Sequence, residues 1–220
     1  MRKREEKRWM IMGAGCLVAF AIWTVLIQRV DVQPAPQNGA DVGFATFNFW
    51  FHELTGVHMG IYTITDWLGL VPVAVCLIFG LLGLTQLIKR KSLLKVDRDL
   101  ILLGIYYVIV IGGYLVFEMI PINYRPILIE GILEASYPSS TTLLVLSVMP
   151  TLRFQAERRM KHAGMKKCIR LFTITFSAFM VIGRMVSGVH WFTDIVGAVL
   201  LSTGLFWIYK AVVAMGRIED

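Results

Sequence analysis

From Met10 to Ile27 the chain runs through 18 residues without a charge. A helix of that length nearly crosses the hydrocarbon core of a bilayer. Arg2, Lys3, Arg4, Lys7 and Arg8 precede the run, as they would in a signal peptide. The run is longer than a usual signal core, and no A-x-A-like cleavage site follows cleanly. It reads as a retained first span. Leu68 to Ile88 and Leu100 to Phe117 are further uncharged runs. The composition agrees: 56% of residues are hydrophobic and only 17% charged, too few charges for the surface of a soluble domain.

Three later runs are shorter. Thr141 to Leu152 has 12 uncharged residues, 13 lie between Arg170 and Arg184, and 15 between Asp194 and Lys210. Thirteen residues cover about 20 Å, against a core of about 30 Å. The spans therefore continue through their polar ends. Arg184, Asp194 and Ser139–Ser140 then lie recessed in one leaflet, where ionisable residues usually face a functional cavity.

Basic residues set the orientation. The N-terminus, the loop from Lys89 to Arg98, the loop from Arg153 to Arg170 and the C-terminal Lys210 and Arg217 hold 19 of the 22 Lys and Arg residues. Only Arg29, Arg125 and Arg184 fall on the other side. Positive loops stay in the cytoplasm. The expectation is an all-α integral membrane bundle of six transmembrane helices with both termini cytoplasmic. Its spans lie at about 10–28, 66–88, 100–120, 139–154, 169–188 and 191–213, in a single domain over 1–220. Spreading the net charge of +7 over separate membrane-edge loops excludes a nucleic-acid partner and leaves the bilayer. Cys16, Cys76 and Cys168 show no pairing or metal-ligand spacing. Phe44, Phe47, Trp50, Phe51 and Leu54, with Asn48, His52 and Glu53 between them, suit an amphipathic interfacial helix or a loop packed on the bundle.

The outer side concentrates polar groups: Tyr124-Arg125-Pro126, then Tyr137-Pro138-Ser139-Ser140-Thr141-Thr142, then Gly183-Arg184 with His190 and Asp194. Pro138 marks a helix start. The free N–H groups there favour an anion, and Ser139, Ser140 and Thr141 add hydroxyls. Arg125 and Arg184 carry planar forks that match phosphate oxygens. His190 and Asp194 are four apart, a shared face on a helix. The carboxylate can then fix the tautomer and leave the other ring nitrogen free to attack phosphorus. The set reads as an anion-binding catalytic site. A transporter fits less well, because the charges gather at one face and no paired broken helices appear.

In these motifs the chain resembles the type-2 phosphatidic acid phosphatases, or lipid phosphate phosphatases. Arg184, His190 and Asp194 match the third motif in full, in GRMVSGVHWFTD. Arg125 and Pro126 match the end of the first, and Pro138 and Ser139 the start of the second. The resemblance implies a phosphatase acting on a phosphorylated membrane lipid at the outer face of the cell membrane. His190 would be the nucleophile and Asp194 its orienter. Arg125, Arg184 and the Ser139–Ser140 helix start would hold the phosphoryl oxygens, with no cofactor and no metal. Two positions depart. Glu118 stands where the first motif has Lys. Ser140 and Thr141 stand where the second has Gly-His, and that His normally protonates the leaving oxygen. Three accounts follow. Glu118, His52 or His58 supplies the proton. Alternatively, the substrate is a diphosphate such as undecaprenyl diphosphate, whose leaving group needs none. Or the chain is a weak or inactive relative that binds phosphorylated lipid or serves as a subunit of a membrane complex.

Overall fold

The computed structural model describes residues 2–216. Arg217, one of the 19 cations counted above, lies outside them. Among the described residues the fold is mostly helical. The helices are α1 (Arg2–Ile27), α2 (Ala45–Thr55), α3 (Met59–Leu68), α4 (Leu70–Arg90), α5 (Arg98–Met119), α6 (Ser140–Arg159), α7 (Ala163–Val186) and α8 (Phe192–Met215). A two-residue ribbon, β1 (Gln33–Pro34) against β2 (Asp41–Val42), is antiparallel.

Five stretches are long and apolar enough to cross a membrane: Lys3–Ile27, Met59–Arg90, Arg98–Met119, Ala163–Val186 and Phe192–Met215. The second starts earlier than the uncharged run suggested. Asp66 ends that run in sequence but not the helix, because its carboxylate is held by Arg184. The chain passes from α3 to α4 at Gly69, whose N–H bonds both Thr65 and Asp66 carbonyls. Pro72 falls in the first turn of α4, where a missing N–H costs little.

The remaining expected span falls on α6. It has 20 residues, about 30 Å of helix, but is less apolar than its neighbours. The reason is its place. It packs on α4, α5, α7 and α8, and buries Thr142, Ser147, Thr151 and Gln155 beside Leu143, Val145, Val148 and Met149. A helix enclosed by protein need not be apolar all round. Several of its polar groups find partners: Gln155 Nε2 donates to Tyr209 Oη at 2.9 Å, Thr151 Oγ1 pairs with Tyr107 Oη at 2.7 Å, and Tyr106 donates to the Ser147 backbone carbonyl at 3.0 Å.

An ionic knot closes the end of the bundle away from the polar motifs. Asp97 accepts from Gln86 Nε2 and Arg90 Nη1, both at 2.8 Å, and from Arg159 Nη1 at 3.0 Å. Burial raises the Asp97 carboxyl, but the bonds from Gln86, Arg90 and Arg159 outweigh it and hold it at about 2. The knot joins α4, α5 and α6 at the level of their basic ends.

Close contact between α1 and α8 rests on small residues. A Cβ at Gly13 would stand 2.9 Å from the Gly204 carbonyl oxygen and 2.7 Å from Ile208 Cγ1. Membrane helices associate through such backbone approach. A Cβ at Gly15, on the same helix, meets nothing within 4 Å. Gly13→Val should therefore destabilise the bundle by about 1–3 kcal/mol. Thermal unfolding in detergent checks this: Gly13→Val lowers Tm, and Gly15→Val leaves it in place.

Candidate phosphoryl-binding site

The polar motifs meet where α5, α6, α7 and α8 end on one side of the bundle. The α5–α6 connection folds back on itself. Arg125 N donates to the Glu134 carbonyl at 3.0 Å and Ser136 N to the Asn123 carbonyl at 2.9 Å. This ladder fixes Arg125, Glu134 and Ser136 beside the start of α6. The α7–α8 connection brings His190 to the same place. Gly188 holds φ +73°, and a Cβ there would sit 2.2 Å from the Gly56 carbonyl oxygen. Only glycine allows that approach.

His190 is almost fully buried at 3% exposure. Its Nδ1 lies 3.2 Å from the Ser136 carbonyl oxygen. A carbonyl only accepts, so Nδ1 carries the hydrogen and Nε2 keeps its lone pair. Nε2 is buried and has no hydrogen-bond partner. This differs in detail from the sequence expectation. His190 precedes α8 instead of sharing a helical face with Asp194, and Asp194 Oδ2 stands 3.7 Å from Nδ1. Asp194 is occupied in capping α8. Its Oδ2 accepts the Trp191 N–H at 2.9 Å and its Oδ1 accepts Asn123 Nδ2 at 3.2 Å. The carboxylate thus fixes the chain around His190, and the Ser136 carbonyl selects the tautomer.

A cavity of about 160 Å³ opens on His190, lined also by Tyr114, Glu118, Arg125, Glu134 and Ser140. Arg125 is buried, with Nε 2.9 Å from Glu134 Oε2 and Nη1 without a hydrogen-bond partner. Arg184 lies behind the first turn of α6. Its Nη2 donates to Thr141 Oγ1 at 2.7 Å and to Asp66 Oδ1 at 3.3 Å, its Nε has no partner, and the guanidinium rests 4.9 Å from the Tyr62 ring centroid. Buried donors without acceptors are costly, at about 1–3 kcal/mol each. Arg125 Nη1, a donor without an acceptor at the cavity, is therefore suited to an acceptor-rich anion, and His190 Nε2 offers a lone pair beside it. Burial, then the charges of Arg125 and Arg184, push the His190 ring well below its usual 6.5, so it stays neutral.

The other predicted residues separate. Ser140 lines the cavity, while Ser139 is buried, its Oγ turned to Thr142 Oγ1 at 3.0 Å. Glu118 reaches the cavity. His52 and His58 do not line it. His52 Nε2 lies 3.1 Å from the Gly188 carbonyl, and His58 Nε2 lies 2.9 Å from the Thr55 carbonyl. His52 and the His58 N–H, which bonds the Ser187 carbonyl at 3.0 Å, instead brace the loop carrying His190. Glu134, Asn123, Ser136 and Asp66 were not anticipated. Asp66 alone left a trace in sequence, as the lone charge beside the second uncharged run.

The sequence pattern of the PAP2 superfamily matches residues 85–217, a stretch holding α5 to α8 and every residue lining the cavity. The chain belongs to the PAP2 superfamily. Among solved structures, a transmembrane PAP2-type phosphatidylglycerolphosphate phosphatase from Bacillus subtilis shares the fold. Its TM-score is 0.59 at 16% identity, over 94% of this chain and 96% of that one. No curated protein matches. PAP2 membership supports a phosphatase function for a multi-pass membrane protein, and it places Arg125, Arg184, His190 and Asp194 within the matched region.

The His190 environment makes a pH prediction. For a catalytic role of His190 as nucleophile, the neutral ring would be the reactive form, and protonation on the acid side would remove it. Because its ordinary midpoint is displaced downward, kcat/KM for a phosphate ester should hold steady as pH falls through 6.5 and decline only well below it. Half-loss near pH 6.5 in a kcat/KM profile would contradict this.

Proposed function

We propose that this chain is a membrane phosphatase that hydrolyses a lipid phosphate or a polyprenyl diphosphate, of the undecaprenyl type, through a phosphohistidine intermediate. The reading extends to the layout. The chain is one domain of six spans, α6 being the fourth. Both termini are cytoplasmic, and the cavity opens at the extracytoplasmic face. The one-sided distribution of Lys and Arg supports that orientation.

The observation that carries the chemistry is the lone pair of His190. A neutral, buried imidazole with its Nδ1 hydrogen committed to Ser136 presents an unpartnered Nε2 to a cavity lined by Arg125 and Ser140. Nucleophilic catalysis needs that free nitrogen beside an anion cradle. Arg125, the Ser140–Thr141 helix start and Arg184 would hold the phosphoryl oxygens and stabilise charge in the transition state. Asp194 would act as a positioning residue through the loop it caps. Water would then attack the phosphoryl group and release phosphate. Glu118 and Glu134 reduce the net positive charge of the cavity relative to one carrying a Lys at 118. That observation keeps a second reading open to test, a binder of phosphorylated lipid without turnover.

Purified protein in detergent should release phosphate from at least one member of a panel of lipid monophosphates and diphosphates. His190→Ala should lower that release to background. Release that survives His190→Ala would remove the nucleophile, and binding without turnover across the panel would favour the second reading.

A further inference from the structure

The phosphatase reading leaves one reacting proton without a source. Thr141 stands where the resembled motif carries its acid, and a hydroxyl bonded to a guanidinium is a poor acid. The structure brings a different group to that spot. Arg184 Nη2 bonds Thr141 Oγ1 at 2.7 Å and Asp66 Oδ1 at 3.3 Å, so the Asp66 carboxyl and the Thr141 side chain share one nitrogen. The short Thr leaves room that a carboxyl from α3 fills.

Position relative to the substrate separates Asp66 from the other carboxyls. Glu118 and Glu134 line the small cavity with His190, the phosphoryl side. Asp66 does not. It lines a neighbouring cleft of about 410 Å³ with Thr141, Val73, Val110 and Leu144. Tyr114 and Ser140 border both spaces, so the cleft adjoins the cavity. A phosphoryl group seated against His190 would direct its lipid part into this apolar cleft, and the bridging oxygen would cross near Ser140 and Thr141. Asp66 is the acid on that side. Its side chain is 56% exposed, unlike the buried Arg184 it pairs with.

We propose that Asp66 is the proton donor to the leaving oxygen and the proton acceptor from the hydrolytic water. This rests on the phosphatase reading. Asp66 Oδ1 lies 3.3 Å from Arg184 Nη2. When the phosphoryl group takes the guanidinium, the Asp66 carboxyl is released from Arg184 on the leaving-group side. His190 Nε2 then forms a bond to phosphorus as the bond to the leaving oxygen breaks, and the Asp66 proton passes to that oxygen, giving the free lipid alcohol and a carboxylate. In the second step water bonds to phosphorus, its proton passes to Asp66, and the N–P bond breaks, returning the lone pair to His190 and releasing phosphate. Protons balance over the cycle.

The test compares leaving groups. A lipid alkyl monophosphate needs its leaving oxygen protonated, whereas p-nitrophenyl phosphate departs as a stable anion. Asp66→Asn keeps an acceptor for Arg184 and removes the proton. It should lower kcat/KM, which reports only the first step, about 10²–10⁴-fold on the alkyl ester and leave kcat/KM on the aryl ester near wild type. Glu118→Gln and Glu134→Gln should affect the two esters alike. Equal losses on both esters for Asp66→Asn, with His190-dependent turnover intact in wild type, would overturn the donor role alone. So would selective loss of the alkyl ester in Glu118→Gln or Glu134→Gln. Absence of His190-dependent turnover on either ester would overturn the phosphatase reading and this proposal together.

Discussion

A guanidinium buried near the end of a membrane helix is the constraint around which the rest is arranged. Arg184 is 1% exposed, and an unpaired charge at that depth is too costly to persist. Thr65, Asp66, Thr141 and the Tyr62 ring surround it. Those partners come from α3 and α6, so the burial of one cation joins three helices around the start of α6. Arg125 repeats the arrangement with Glu134. Neither pairing satisfies the whole fork: Arg125 Nη1 and Arg184 Nε have no hydrogen-bond partner. The same groups thus hold the fold together and prepare the site.

The sequence made much of this legible, for reasons that can be stated. Uncharged runs read as spans because lipid demands apolar side chains over a fixed length. That rule fails for α6, which protein encloses, and at Asp66, which a buried Arg neutralises. Arg125, Ser140 and His190, which line one cavity, and Arg184 behind it were candidates in sequence because the proposed anion binding needs their chemistry near helix ends. The partner of the His190 ring was not. Backbone carbonyls such as that of Ser136 carry no mark in a sequence. Glu134 was hidden because its closeness to Arg125 depends on a reversal of the α5–α6 loop.

The histidines illustrate the same limit. His52 and His58 became candidates for proton transfer through their chemistry and their place on the outer side. Their ring nitrogens instead meet the Gly188 and Thr55 carbonyls. They lie where Gly188, in the α7–α8 loop that carries His190, approaches Gly56 closely. Placement, not residue type, separates a brace from a reactant.

The central claim is that the free Nε2 of His190 becomes bonded to phosphorus. Rapid quenching of wild-type protein with a radiolabelled lipid phosphate tests it directly. A phosphohistidine is stable in alkali and lost in acid. The account predicts a label with that behaviour on the peptide carrying His190, absent from His190→Ala. Turnover that proceeds without such a label, or a label on another residue, would contradict it.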